Sequence, residues 1–249
     1  MLYDLSMLKI LSIEVGNDCN LKHIHTKCPI NHIPRPEGSP LLSVADIIRI
    51  IDSAVKLNFK GYVAFHHYNE PLLYIKEIEE VIRSRPKQRY LLWSNGLLIP
   101  KVEKMGFSLK MFDKIILTCY DEKQYDFYLD IQNRYNDVEI GIAQMDDRLT
   151  GYDEEYENLI ACKKVFFELP VNCHGEVLLC AHDWKNSCKL GNVFHSSFED
   201  IVTSERYQNI LSMYRKRKIQ EQAPDICKRC RYAYLTYHAG DDILENSAK

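Results

Sequence analysis

Between positions 19 and 28 the chain reads Cys19-Asn-Leu-Lys-His23-Ile-His25-Thr-Lys-Cys28, followed by Pro29. Thiolate and imidazole are soft or borderline donors, and both suit iron–sulfur or zinc chemistry. A histidine in a lysine-containing loop is often merely solvated, but two of them between flanking cysteines point to a metal. A Cys-x2-Cys pair follows at Cys227 and Cys230, with Cys162, Cys173, Cys180 and Cys188 upstream of it. Such a pair with two distant cysteines suits a structural zinc ribbon or a four-thiolate 4Fe–4S cluster, and spacing alone leaves the two level.

These donors sit in a regular grammar. Leu8–Val15 reads as a buried strand, and the loop from Gly16 to Leu42 carries the first donor set and then Pro34, Pro36 and Pro40. A connection of that length without regular structure is usually functional. Ser43 and Asp46 resemble a capping box, and Ile47, Ile48, Ile51 and Val55 predict an apolar helix stripe behind it. Strands follow at 61–66, 89–93, 114–118 and 138–143, with helices between them at 75–83, 99–105 and within 121–133. That alternation predicts a parallel sheet with right-handed crossovers. Five units are too few for a closed eight-stranded barrel, so the α/β fold expected is an open, partial (β/α) barrel. Beyond Cys162 the pattern changes to a hairpin turning at Asn172-Cys-His-Gly175, then helices over 196–201 and 205–218. A boundary near Asp147–Tyr156 would separate residues 1–150 from a small α+β domain over 151–249.

The whole composition narrows the classes. The chain has 249 residues, 46% of them apolar, enough for a sizeable core. Its net charge of -3 does not suit a protein that holds nucleic acid by neutralising phosphates. No apolar run approaches a membrane span, and Met-Leu-Tyr-Asp-Leu-Ser lacks the basic start of a secretory signal. Nine cysteines, an odd number, then read as metal ligands and core thiols in a reducing cytoplasm rather than as a disulfide framework.

A Cys-Asn-Leu opening and a Cys-Pro close directly after the first strand resemble the cluster loop of radical S-adenosylmethionine (AdoMet) enzymes. The family pattern is C-x3-C-x2-C. Counting back from Cys28 puts His25 at its middle position, giving C-x5-H-x2-C, whereas counting forward from Cys19 puts His23 there. Asn69-Glu70-Pro71-Leu72, at the end of the second strand, is similar to the family's Gly-Gly-Glu element with both glycines replaced. Ser94-Asn95-Gly96 resembles its third-strand Ser/Thr-Asn-Gly element. The run from Cys162 through Cys180, Asp183 and Leu190-Gly-Asn-Val193 to Cys227 and Cys230 resembles the auxiliary-cluster domain of SPASM/twitch members.

The resemblance implies one AdoMet-binding 4Fe–4S cluster on Cys19, His25 (or His23) and Cys28, and one auxiliary cluster on Cys162, Cys180, Cys227 and Cys230. It implies AdoMet contacts from Asn69, Glu70, Ser94, Asn95, Thr118 and Gln144. It also implies reductive cleavage of AdoMet with hydrogen abstraction from a small metabolite, sugar or peptide, fed by an electron donor such as flavodoxin or ferredoxin. Two further readings stay open. One is a redox-neutral epimerase or peptide-modifying enzyme, in which Cys119 returns a hydrogen atom. The other is a non-catalytic iron–sulfur or zinc protein on a decayed scaffold.

Overall fold

The computed structural model of the chain describes residues 4–33, 38, 40–145, 147–149, 162–215 and 223–230. Strand and helix alternate as the hydrophobic pattern demands. The order is β1 (Ile10–Ile13), α1 (Val44–Lys56), β2 (Tyr62–Ala64), α2 (Ile75–Ser84), β3 (Arg89–Ser94), α3 (Ile99–Lys104), β4 (Lys114–Cys119), α4 (Tyr125–Arg134) and β5 (Val138–Ile142). Then come α5 (Lys164–Phe167), β6 (Glu168–Val171), β7 (Glu176–Leu178), β8 (Lys189–Asn192), α6 (Phe198–Thr203), α7 (Glu205–Arg215) and α8 (Asp225–Lys228).

All eight strands form one sheet in the order β5-β4-β3-β2-β1-β6-β7-β8. The first six are parallel to their neighbours, while β7 and β8 run antiparallel. The sheet is open between β5 and β8, which makes it the expected partial barrel. Residue β6 pairing adds something that the chain order conceals: Ile10 to Ile13 of β1 face Glu168 to Val171 of β6 across the parallel ladder. The strand that introduces the cysteine-rich segment is therefore also a barrel strand. The expected boundary near Asp147–Tyr156 falls mostly on residues outside those described.

Side-chain alternation divides the sheet into two faces. Leu11 and Ile13 of β1, Val63 of β2, Tyr90 and Leu92 of β3, Ile115, Leu117 and Cys119 of β4, and Leu169 and Val171 of β6 pack into the main core with the helices. Each fully buried aliphatic chain there contributes about 1.5–3 kcal/mol. The alternate residues face the concave side. Ile10, Ala64 and Leu91 form a small apolar floor, and beyond it the lining turns polar.

Helix α1 starts where the capping box predicts. Asp46 N donates to Ser43 Oγ at 3.2 Å, and Ser43 N donates to Asp46 Oδ2 at 2.9 Å. Its buried face is rotated from the stripe expected above: Ile47, Ile50, Ile51 and Ala54 are buried, whereas Val55 is half exposed. Small Ala54 fits under the sheet where Val55 was expected, because burial follows position on the helix rather than residue size. Residues Lys164–Phe167, just ahead of β6, form the helical turn α5. Farther on, α6 and α7 occupy the helical stretches expected there, with α7 ending at Arg215 and the residues after it outside those described.

Candidate functional site

The concave side encloses a cavity of about 770 Å³ at the carboxyl ends of the parallel strands, where parallel α/β folds bind ligands. Its walls come from the loop after β1, the loop after β2, the ends of β3 and β4, and the segment after β7. Cys19, His25 and Cys28 all line it. His25 is buried, its ring 6.1 Å from that of Tyr120, whereas His23 is exposed. Burial pushes the Cys19 thiol up to about 11, and the nearby charges of Glu70 and Cys28 add to the rise.

The donor loop is tied to the sheet by a short polar chain. Glu70 N donates to Asp18 O at 2.9 Å, and Cys19 N donates to Asp18 Oδ1 at 2.8 Å. Asn95 Nδ2 donates to Asn20 Oδ1 at 2.8 Å. Glu70 is the hub. Its Oε1 accepts from Ser94 Oγ at 2.7 Å and Leu72 N at 3.1 Å, and its Oε2 accepts from Asn95 Nδ2 at 2.7 Å and Asn95 N at 3.1 Å. Desolvation raises the Glu70 carboxyl, and these donors oppose that rise.

Four internal donors engage the Glu70 carboxylate, which ties together the loops around the cavity it lines. Asn69 is likewise engaged, accepting from His67 N and donating to Phe65 O. Gly96 makes the turn after β3 possible, with φ at +75° and Tyr128 close to the place a Cβ would take. Tyr128 Oη donates to Asn95 O at 2.7 Å, holding that turn from the helix side.

Thr118 lines the cavity and accepts from Trp93 Nε1 at 3.3 Å, and Gln144 lies at the exposed rim. Cys119 does not join them. As the next residue on β4 it faces the opposite side, fully buried beside the helices, and its thiol donates to Asp121 O at 3.1 Å. Strand alternation thus removes it from the place a hydrogen donor to a cavity ligand would have to occupy.

Several lining residues went unseen in the sequence: His66, Trp93, Tyr120, Arg148, Lys164, Glu168 and His182. Alternation from Thr118 and Leu91 would have found Ile116 and Trp93. Glu168 could be found only by knowing that β6 lies beside β1. Arg148 Nη2 donates to Tyr120 Oη at 2.7 Å, and its backbone N donates to Lys27 O at 3.2 Å, so this segment closes over the donor loop.

The second donor set lies across the cavity wall formed by Ala181 and His182. Tyr68 Oη donates to Ala181 O at 2.7 Å and joins the two regions. The thiols of Cys162, Cys180, Cys227 and Cys230 stand close enough to act on one another. Burial raises Cys180 well above the usual thiol range, and the other three add to it. Burial likewise pushes Cys227 up to about 12. Lys164 N donates to Cys162 Sγ and His182 N to Cys180 Sγ, both at 3.4 Å, the backbone contacts that support a thiolate. Asp183, fully buried, organises the intervening loop by accepting from Ser187 N at 3.0 Å and Cys188 N at 2.6 Å. Cys173 and Cys188 are core thiols of the hairpin region.

Among the described residues, no three such side chains close on a single ion. Four mutually interacting thiols make a four-thiolate donor set that a 4Fe–4S cluster can use. Cys19, His25 and Cys28 all line the cavity, and Cys28 lies near enough to Cys19 to act on its thiol.

Comparison with known proteins agrees. Residues 162–231 match the SPASM family, described as an iron–sulfur cluster-binding domain. The chain is 20% identical over 240 residues to the S-adenosyl-L-methionine-dependent 2-deoxy-scyllo-inosamine dehydrogenase of Niallia circulans, covering 90% of this chain and 93% of that protein. Its fold is similar to the crystal structure of BtrN in complex with AdoMet and 2-DOIA, with a TM-score of 0.68 and 20% identity over 90% of this chain and 92% of that one. It is also similar to BtrN in an open conformation, with a TM-score of 0.60, 19% identity and the same coverage. The chain shares the fold of BtrN, and its residues 162–231 match an iron–sulfur cluster-binding domain.

Proposed function

We propose that this protein oxidises a secondary alcohol of a small hydroxylated metabolite, using AdoMet, a 4Fe–4S cluster on Cys19, His25 and Cys28, and an auxiliary 4Fe–4S cluster on Cys162, Cys180, Cys227 and Cys230. The observation that carries this reading is the cavity itself. It has the first donor set on one wall and the chain of the second, through Ala181 and His182, on another. Its volume of about 770 Å³ lies within the roughly 300–1,000 Å³ of small-molecule sites. Shared between AdoMet and a substrate, that space suits a single ring better than a peptide.

When bound, the clusters and AdoMet supply the one-electron chemistry and the radical that takes a hydrogen atom. The protein's own residues bind, orient and exclude water. Glu70, through Ser94 and Asn95, holds the loops that shape the AdoMet end. Trp93, Tyr120 and Ile116 cover the concave face, and Arg148 with Lys27 closes the rim over the donor loop. Flavodoxin or ferredoxin is the kind of electron donor such a protein would use.

The test is anaerobic. Reconstituted protein with AdoMet, a strong reductant and 2-deoxy-scyllo-inosamine should release 5′-deoxyadenosine and a carbonyl product in equal amounts. Release of no 5′-deoxyadenosine under any of these conditions would overturn the reading and favour a non-catalytic cluster protein, for which His25 at a position usually held by cysteine is the supporting observation.

A further inference from the structure

On the concave side of the sheet three polar side chains meet, Ser12 from β1, His66 from just after β2 and Glu168 from β6. Glu168 opens β6 with its side chain only 5% exposed. Its Oε1 accepts from Ser12 Oγ at 2.8 Å, and Lys164 Nζ lies 4.0 Å from its Oε2. Burial opposes ionisation of this carboxyl, while the Lys164 charge and the Ser12 hydroxyl favour its anion, which faces the cavity. His66 follows β2, its ring 5.0 Å from Trp93, and burial pushes it down to about 4, which keeps the imidazole neutral.

The spacing between these two groups is the informative number. His66 Nε2 and Glu168 Oε1 are 3.7 Å apart, beyond the reach of a direct N–H···O bond. Two groups so placed can both reach one oxygen lying between them at about 2.8 Å from each. His66 also has a buried Nδ1 with no partner among the described residues. An unsatisfied buried polar atom costs about 1–3 kcal/mol and in a native protein calls for an explanation. The ring lines the cavity, with Nε2 beside the carboxylate.

We infer that His66 and Glu168 form a reading site for a hydroxyl group of a polyol. One ligand hydroxyl donates to the Glu168 carboxylate while its oxygen accepts from His66 Nε2–H. Ser12 and Lys164 position the carboxylate for that contact. The arrangement selects an alcohol over a carbonyl or an ether, because the carboxylate needs a donor and the imidazole an acceptor from the same ligand atom. The ligand class thus deepens the reading proposed above and rests on it.

Binding, rather than turnover, tests this. The probes are myo-inositol and 2-deoxy-scyllo-inosamine, titrated calorimetrically into the anaerobically reconstituted, AdoMet-loaded protein without reductant. Glu168→Gln and His66→Phe should each weaken polyol binding at least tenfold while AdoMet affinity stays within twofold. Because one hydroxyl serves both residues, the double variant should lose little more than the worse single variant. Ser12→Ala, which leaves both contacts in place, guards against misfolding of the other two and should weaken binding only a few-fold. Unchanged polyol affinity in either single variant, additive losses in the double variant, or no binding of either polyol to the unaltered protein would overturn the inference. AdoMet cleavage is measured separately, so an enzyme that cleaves AdoMet but ignores polyols would sink this site and leave the radical chemistry standing.

Discussion

Glu70 ties the loops around the cavity together. A carboxylate taking four donors, two of them from one asparagine, is a structural clasp. Replacing one oxygen by an NH2 group in Glu70→Gln sets a donor against the Ser94 or Asn95 donors. The expected cost is about 2–4 kcal/mol, read as a lower denaturation midpoint, together with weaker AdoMet binding as the β3 turn loosens. His25 and His23 make a sharper pair. His25→Ala should remove the iron bound by the donor loop, since this imidazole is buried against the cavity, whereas His23→Ala should keep it. Iron and sulfide content after anaerobic reconstitution decides between them, and retention of full content by His25→Ala would remove His25 from the ligand set.

The buried histidines also set a pH dependence. His66 and His182 are both held near 4 by burial, against an ordinary value of 6.5. Between those values the unfolded chain binds more protons than the folded one, so stability should rise with pH from about 4 to about 6.5 and then level off. The slope is at most about 1.4 kcal/mol per pH unit for each histidine. Glu168 adds to the loss below that window, because a carboxylate held anionic in the fold loses its stabilisation once protonated. Urea midpoints measured across this range in His66→Phe should show a shallower slope than in the unaltered protein.

At the scale of elements, most of the barrel was legible. Five strands and their helices follow from alternating and helical apolar spacing, because local burial dictates both. The SPASM segment was legible from Cys162, Cys180, Asp183, Leu190-Gly-Asn and the C-x2-C pair, since ligands must recur at fixed places. Less visible was anything that depends on pairing between distant segments. Glu168 looks like an ordinary polar residue on a strand until β6 is set beside β1. Cys119 looked like a strand-end residue near the ligand until alternation placed it with Leu117. Helix faces were read one residue off at Val55 for a related reason: the buried stripe is fixed by what packs on it. The turn after β3 gives a test at this scale. Gly96→Ala places a Cβ at positive φ and 3.1 Å from Tyr128, so it should lower stability and loosen the Ser94–Asn95 loop. Thermal denaturation and AdoMet titration would register both effects.

For the molecule as a whole, the single sheet matters more than the division into two regions. β1 is hydrogen-bonded on one side to β2 and on the other to β6, and all four of its residues are buried. A fragment ending at residue 149 keeps five strands but strips β1 of one neighbour and uncovers an apolar edge. It should aggregate or fail to fold cooperatively, which size-exclusion chromatography and denaturant melts would reveal. A soluble, cooperatively melting fragment would mean that the barrel stands without its sixth strand.

The same pairing has a consequence for synthesis. β1 leaves the ribosome near the beginning, yet its partner β6 follows roughly 150 residues later. At about 5–20 residues per second that is an interval on the order of 10–30 s. During it β2 to β5 can assemble on one flank of β1 while the other waits. Cys227 and Cys230 are made later still, after all eight strands among the described residues. Assembly of the sheet is therefore ordered in time by its topology: the loop after β1 can be placed early, while the central strand is secured only once β6 is made.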